Sequence, residues 1–593
     1  MTALDLAAIG NCGFGALIDP QARIVWSCMP RFDSDPVFCS LLDGNDPQSG
    51  FFDIELMDME RSEQNYRHNS AVLETRLYDR HGAAIEITDY APRFWQYERM
   101  FRPVVIVRRV RPLAGMPRLR IRLLPRCQYG RDKPDLTRGS NHVRFVMPDF
   151  TLRLTTDGPL SYIVSGGPFI CSTPFSMILG PDEAIQAPLG DLAREWQERT
   201  DNYWRDWARG LSIPLEWQEA VIRSAITLKL CSSEDTGAIV AALTTSVPEH
   251  PNSGRNWDYR FCWLRDAYFV VGALNRLGAT RTMERYLDYI ANLVATAEDG
   301  YLQPVFSIMG DRDLSESSVE SLSGYRSMGP VRVGNGAYEQ IQNDGYGAVI
   351  LACSQCFFDR RLFRVGDEGL YRRLEQLGVQ AARRWDQPDA GIWELRQTRS
   401  VHTYSSVMCW VACDRLSRIA AHLGLDGRRD HWANQADTIR KGIMERAWND
   451  KIGSFVARYD STDMDASLLL LNSVGFISPE DPRFVATLKR VEADLRHGDY
   501  LFRYSVPDDF GRPANAFLAC TFWYIDALSA VGRVGEAREL FEAMLARRNP
   551  LGLLSEDAEV ATGELWGNFP QTYSMVGLIQ SAMRLSRRWD EAF

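Results

Sequence analysis

Two periodicities divide the chain. Over the first 190 residues apolar positions recur in short alternating runs broken by Gly, Pro and Asp, as strands and turns require. FGALID at 14–19, then PQA, then RIVWSC at 23–28 predicts a hairpin, as does VLETRLYDR–HG–AAIEITDYAPR at 72–93. Further strands are expected in VVIVRRVRP, LRIRLLPR, HVRFVMP, FTLRLTTD, SYIVSG and FSMILG, closing at Gly180-Pro181-Asp182. Short strands at such regular spacing predict an antiparallel β-sandwich. A polar segment with helical spacing, LAREWQERTDNYWRDWARG at 192–210, reads as a linker. After residue 213 the period changes to 3.6. Twelve helices are predicted near 215–231, 265–277, 280–297, 337–357, 366–385, 403–424, 428–447, 464–473, 479–495, 515–532, 534–547 and 571–587. Twelve helices in sequential pairs suit an (α/α)6 barrel, six inner helices ringed by six outer ones. The expected class is α+β multidomain: an N-terminal antiparallel β-sandwich at 1–190, a helical linker at 191–213 and the barrel at 214–593. The longest interval without a predicted helix, 298–336, is longer than a connector needs, and long loops of this kind usually carry function.

Composition narrows the partners. At 593 residues the chain exceeds what one core supports, and 45% hydrophobic residues supply enough apolar material for two. A net charge of −10 argues against a nucleic-acid partner, which favours a basic face. No run reaches the roughly 18 apolar residues of a membrane span. The opening MTALDLAAIGNCGFGALID has neither a basic start nor an apolar run of signal length, so a cytoplasmic location is expected. Twelve scattered cysteines fit buried free thiols in a reducing compartment. Cys353 and Cys356 form one CxxC, but no second pair or nearby His completes a zinc site, so packing is their expected role. Neither a metal nor an organic cofactor is expected, and a homo-oligomer is left open.

Three segments place polar and aromatic residues where helices begin or end. The first holds Asn256-Trp257-Asp258-Tyr259-Arg260, then Trp263, Arg265 and Asp266. Asp266 opening a helix complements the helix dipole, and that alone would account for it. Equally, an aspartate accepting from and an arginine donating to hydroxyl groups would hold a sugar. The second is Gly391-Ile392-Trp393-Glu394-Leu395-Arg396. A carboxyl among apolar side chains has its charged form disfavoured, as a general acid near neutral pH requires; a surface glutamate paired with Arg396 is the plain alternative. The third holds Leu553-Leu554-Ser555-Glu556-Asp557, Glu559 and Gly563-Glu564-Leu565-Trp566-Gly567-Asn568-Phe569-Pro570-Gln571. Its acids read either as a solvated loop or as a site.

NWDYRFCWLRDA, GIWELR and LLSEDAEVATGELWGNFPQTYSMVGLI resemble the corresponding segments of glycoside hydrolase family 15, which contains glucoamylases, glucodextranases and bacterial trehalases. The resemblance extends to SGYRSMGPVRVGN and AYEQIQNDGYG within 323–347. It also takes in IGNCGFGALID…IVWSCMPRFDSDPVFCSLLD, similar to the leading domain of the trehalase-type members. It therefore spans nearly the whole chain in order. The resemblance implies a β-sandwich followed by an (α/α)6 barrel and an inverting hydrolysis that needs no cofactor. It makes Glu394 the general acid and Glu556 the general base, with Glu564 a second candidate for the base. Arg265 and Asp266 would hold the non-reducing glucose and Trp263 would line the pocket. Trp257, Asp258, Tyr325, Arg326, Trp393, Glu564 and Trp566 complete the expected substrate contacts. Two departures touch the expected leaving-group side: GYRSMGP where relatives read nearer GYRGSRP, and Ser406 in YSSVM where relatives read nearer HSKVM.

The expected substrate is a disaccharide or small oligosaccharide. The leading expectation is cleavage of the α,α-1,1 bond of trehalose, releasing β-glucose from the attacked half. The alternatives are a glucoamylase or isomaltase acting on α-1,4 or α-1,6 oligosaccharides, a phosphorylase on a similar barrel, and a non-catalytic carbohydrate-binding protein. Retention of both Glu394 and Glu556 speaks against the last, and an acid at the base position favours water over phosphate.

Overall fold

The computed structural model describes residues 4–591. Its N-terminal part is two antiparallel sheets. The first runs Ala7–Gly10, Gly15–Ile18, Ile24–Cys28, Phe51–Leu56, Arg118–Leu124 and Phe169–Ile170, with Pro36–Phe38 also paired to Ile24–Cys28. The second runs Asp135–Arg138, His142–Val146, Thr151–Thr156, Phe175–Pro181, Ile106–Ala114, Ala84–Tyr90, Leu73–Asp79 and Met59–Tyr66. Ile9, Phe52 and Ile121 of the first share one buried cluster with Ile85, Ile87 and Leu154 of the second. A buried arginine joins the sheets: Arg108 pairs with Asp89 of its own sheet, Nε donating to Oδ1 at 2.8 Å, and reaches across with Nη1 to the Phe52 carbonyl at 2.9 Å. Such a pair is tolerable in a dry core because these extra hydrogen bonds leave neither charge bare.

Both hairpins expected from the pattern form, with Leu17 opposite Trp26 and Leu77 opposite Ile85. The segment SYIVSG, expected as a strand, lies in helix α1, Leu160–Ser165. Leu160 and Ile163, three apart, bury one face, and Gly166 ends the turn at φ 65°. Met59–Tyr66 carries no apolar alternation because it is the edge strand of its sheet, with mostly polar side chains in solvent. Helix α2, Leu189–Arg209, packs on the sheets; the Tyr90 hydroxyl donates to the Ala193 carbonyl, and Trp204 is fully buried.

Twelve helices follow among the described residues: α3 Gln218–Leu230, α4 Leu264–Arg276, α5 Thr280–Ala295, α6 Asp344–Phe358, α7 Glu368–Arg384, α8 Thr403–His422, α9 Asp426–Arg446, α10 Leu470–Ser473, α11 Pro482–Leu495, α12 Leu518–Ala530, α13 Val534–Leu545 and α14 Thr572–Leu585. Alternate helices close a ring: α4 packs on α6, α6 on α8, α8 on α10, α10 on α12, α12 on α14, and α14 returns to α4. Helices α6, α8, α12 and α14 are buried on nearly all sides, as helices apolar all round must be. The outer helices α5, α7 and α11 are amphipathic instead. The segment expected as one helix at 337–357 begins its α-helix only at Asp344, because Gln340, Gln342 and Asn343 spend their side chains on the loops across the ring end.

The long 298–336 interval is ordered by pairing. Val305–Phe306 pairs with Cys262–Trp263, and Gly324–Tyr325 runs parallel to Asp43–Gly44 of the sheet part. The sheets grip the helices elsewhere too: Trp26 Nε1 donates to the Leu243 carbonyl at 2.8 Å, and Arg260 Nη1 donates to the Ser34 carbonyl at 2.9 Å.

Candidate functional site

The loops at one end of the helical ring enclose a concavity of about 920 Å³, open to solvent on one side. Trp257, Trp263, Arg265, Asp266, Trp393, Glu394 and Glu556 all lie on its wall. These come from the loop before α4 and its first turn, and from the loops before α8 and α14, so the ring brings together residues far apart in sequence.

Glu394 sits in a tight turn. Its own φ is +60° and that of Gly391 is +67°, and the Gln340 side-chain amide donates to the Glu394 carbonyl at 3.0 Å. A left-handed backbone at a residue with a Cβ costs energy and persists only where the surroundings impose it. Asp509 contributes by accepting from the backbone N–H groups of Arg396 and Gln397 at 2.6 and 3.0 Å. On the carboxylate, Oε1 accepts from Trp263 Nε1 at 2.6 Å, Arg265 Nη2 at 3.0 Å and Gln342 Nε2 at 3.3 Å. Three donors on one oxygen exhaust its lone pairs, so a proton on this group belongs on Oε2.

Glu556 is 1% exposed. Its Oε1 accepts from the Tyr259 hydroxyl at 2.6 Å and its Oε2 from the Asn568 N–H at 3.4 Å. Burial pushes its carboxyl up to about 8 and the charge of Glu249 adds to this, while the Tyr259 hydrogen bond and Arg503 pull it down. Gly567 explains part of the GELWGN segment: at φ +77°, a Cβ there would lie 2.6 Å from the Glu556 Cβ. Tyr259 and Trp263, each bonded to one carboxylate, meet edge to face with ring centroids 5.3 Å apart. The two acids therefore stand on opposite ends of one aromatic pair.

Arg265 also donates to Gln342 Oε1 at 2.9 Å and to the buried Asp344 at 3.4 Å. Burial pushes Asp266 up to about 7; Arg265 opposes that shift and Glu394 adds to it. Trp393 packs against Trp523 with centroids 6.0 Å apart, and its Nε1 donates to Asp465 at 2.6 Å. Trp257 is held by Glu249, which accepts from its Nε1 at 3.0 Å. The guanidinium groups of Arg332 and Arg396 lie 4.8 and 4.3 Å from its ring centroid.

Five expected contacts fall elsewhere. Asp258 is fully buried behind the wall, accepting from Arg260 Nε at 2.9 Å and Nη2 at 2.7 Å, so its charge is spent on a structural pair. Tyr325, Arg326, Glu564 and Trp566 form a separate group outside the pocket lining. Arg326 Nη2 donates to Glu564 at 2.8 Å, and its guanidinium lies over both aromatic rings. Glu564 thus lies outside the lining that holds Glu394 and Glu556. Ser406 is buried in α8, where its hydroxyl donates to the Trp385 carbonyl at 2.5 Å, and it lines no part of the pocket. Ser327-Met328-Gly329 lies behind Trp257, with the Met328 carbonyl accepting from Asn256 Nδ2 at 2.9 Å.

The sequence reading passed over Glu249, Arg255, Gln340, Arg503, Asp508, Phe510, Trp523 and Tyr573, all on the wall. Glu249 pairs with Arg503, and Arg255 Nη1 donates to Asp508 at 2.7 Å. Nothing in local spacing marks these residues, since each partner lies some 250 positions from the other. No group of three or more His, Cys, Asp or Glu able to hold a metal ion occurs among the described residues. No helix there is long and apolar enough to cross a membrane.

The family model for glycosyl hydrolases family 15 matches residues 217–583, and the model for the trehalase-like N-terminal domain matches residues 5–167. The trehalase of Thermoplasma volcanium is 33% identical, the alignment covering 97% of this chain and 92% of that protein. The trehalase of Mycobacterium tuberculosis is 31% identical, with coverage of 99% and 90%. A solved bacterial glucoamylase complexed with acarbose superposes with a TM-score of 0.72 over 98% of this chain and 94% of that one, at 14% identity, a likeness of fold alone.

Proposed function

The chain belongs to glycosyl hydrolase family 15, and from that premise we propose that it is an inverting trehalase, cutting α,α-trehalose with Glu394 as general acid and Glu556 as general base. The observation that carries this reading is the placement of those two carboxylates in one pocket, each hydrogen-bonded to one end of the Tyr259–Trp263 pair. We read the closed ring of α4, α6, α8, α10, α12 and α14 with its outer helices as an (α/α)6 barrel at 214–593. The paired sheets at 1–190 form a β-sandwich, joined to the barrel through 191–213.

In this mechanism Arg265 and Asp266 bind the hydroxyl groups of the glucose whose anomeric carbon is attacked. Glu394 gives the proton on Oε2 to the bridging oxygen as the bond breaks. Glu556 takes a proton from the attacking water on the opposite face, so its ionised form is the working one. Tyr259 and Arg503 favour that form, while burial and Glu249 oppose it. The acidic limb of kcat/KM should therefore lie above the ordinary carboxylate range. Trp257, Phe510 and Arg396 cluster on the wall, with Phe510 5.2 Å and the Arg396 guanidinium 4.3 Å from the Trp257 ring, and in this reading they receive the departing sugar.

Proton NMR of fresh trehalose digests, read before mutarotation, tests the reading. One β-glucose and one α-glucose per bond cut are expected; α-glucose alone would remove Glu556 from the role of base. Glucose release from trehalose should exceed that from maltose and isomaltose and need no phosphate as co-substrate. Faster release from either other disaccharide would overturn the substrate assignment.

A further inference from the structure

A second concavity, of about 1260 Å³, opens between the two parts of the molecule. It lies where the hairpin of Phe94–Gln96 and Arg99–Phe101 meets helix α2, the end of α3 and the turn between α4 and α5. None of its lining residues belongs to the Glu394–Glu556 pocket.

At its base is Lys229, 6% exposed. Its ammonium makes one side-chain hydrogen bond, to the Thr282 hydroxyl at 3.3 Å, and lies 5.1 Å from the Trp207 ring centroid. An ammonium has three donors, and among the described residues no carboxylate pairs with this one. Glu234, the buried acid of the cluster, is shared by three other cations: Arg93 at 2.6 Å, Arg102 at 3.5 Å and Arg285 at 3.8 Å. Arg102 has a further partner in the exposed Asp235. Arg281, at the rim, stands over Trp95 with its guanidinium 4.7 Å from the ring centroid. Arg199 and Asp206 also line the cleft, so six cations meet three acids. A buried cation without a counter-charge is costly, and burial pushes the Lys229 ammonium down to about 8.

Helix α5 starts at the same place. Ala279 precedes its first residue, so no side chain caps its leading N–H groups, and Thr280, Arg281 and Thr282 line the cleft. The N–H groups of Thr282 and Met283 turn back on the Ala279 carbonyl, both at 3.2 Å, which leaves those of Thr280 and Arg281; these donors and the positive end of a sixteen-residue helix attract an anion. Trp95, 45% exposed, and Trp207 supply flat apolar surface beside that charge.

We propose that this cleft is a ligand site for a phosphomonoester. The oxyanion is held by Lys229, Arg281 and the N-terminus of α5, and the organic part lies against Trp95 and Trp207. A doubly charged phosphate offsets the surplus positive charge of the cluster and satisfies the idle donors of Lys229. Because the walls come from both the sheets and the helices, its binding stabilises their junction.

The test measures thermal unfolding and titration calorimetry of the full chain with inorganic phosphate, with glucose 6-phosphate and with sodium chloride at matched ionic strength. A Tm that climbs with the logarithm of phosphate concentration, beyond any effect of chloride, is expected. Arg281→Ala, at an exposed position, should weaken binding about tenfold, and Lys229→Met should abolish it. Should Lys229→Met fail to fold, Arg281→Ala decides alone. No rise above chloride, or a rise that Arg281→Ala leaves unchanged, overturns the site. Tighter binding of glucose 6-phosphate than of inorganic phosphate supports the role of Trp95 and Trp207; equal binding overturns that part and leaves free phosphate as the ligand.

Discussion

Tyr259→Phe removes one hydroxyl and isolates the electrostatics of Glu556. The ring remains to pack edge to face on Trp263, so the wall keeps its shape. What is lost is the 2.6 Å hydrogen bond to Oε1, leaving Glu556 only the 3.4 Å contact from the Asn568 N–H. A hydrogen bond to a charged group in a buried site is worth about 1.5–3 kcal/mol. That stabilisation belongs to the ionised carboxylate, and Tyr259 is among the influences that lower its proton affinity. Removing the donor therefore raises it, and the acidic limb of kcat/KM moves to higher pH. At a fixed pH on that limb the loss should be about 10- to 100-fold, since each 1.36 kcal/mol is a factor of ten. On the alkaline side of the limb most of the activity should return. The assay is kcat/KM on trehalose across the neutral and mildly alkaline range for both proteins. A uniform loss at every pH, with the limb unmoved, would refute the reasoning and assign the hydroxyl to direct contact with the substrate or water.

Other perturbations separate the remaining roles. Glu394→Gln should abolish turnover of trehalose but spare much of the hydrolysis of α-glucosyl fluoride, whose leaving group needs little acid help; equal losses on both would contradict the acid role. Glu556→Gln should raise Tm. Burial raises its carboxyl above the ordinary 4.5, so the native state keeps a proton that the unfolded state releases, and stability falls as pH rises above that value. The gain from the substitution should vanish near pH 4.5 and grow as pH rises above it, and urea melts at several pH values would show a flat difference if burial imposes no such strain. Arg265→Ala should cost stability as well as activity, about 3–5 kcal/mol, because it strips the buried Asp344 of its cation; unchanged denaturation would mean that Asp344 is protonated or otherwise paired.

Much of this molecule was legible in sequence because its signals are local. The change from period 2 to period 3.6 near residue 214 marks where sheets give way to helices, and each of the twelve apolar-periodic segments holds a helix. The exceptions are local conflicts settled from outside. Met59–Tyr66 is a strand because Leu73–Asp79 pairs with it, not because of its own polar side chains. The helix expected from 337 starts late because Gln340 and Gln342 are recruited to Glu394.

Sequence by itself determined the residue types in the pocket: an aromatic beside an acid at Trp393-Glu394, an Arg–Asp pair at 265–266 and a Ser-Glu pair at 555–556. Only the tertiary structure decided which neighbours of those motifs reach the pocket. Asp258 and Asp266 occur in one short segment with similar local surroundings, yet Asp258 is consumed by Arg260 while Asp266 faces the cavity. Glu556 and Glu564 lie eight residues apart in one acidic loop, yet Arg326 takes Glu564 and burial beside Glu249 raises Glu556. Whether a carboxylate pairs, ionises or stays protonated depends on charges and dielectric within a few ångströms. In this fold those charges arrive from loops some 250 residues away, as Arg503 does on Glu249.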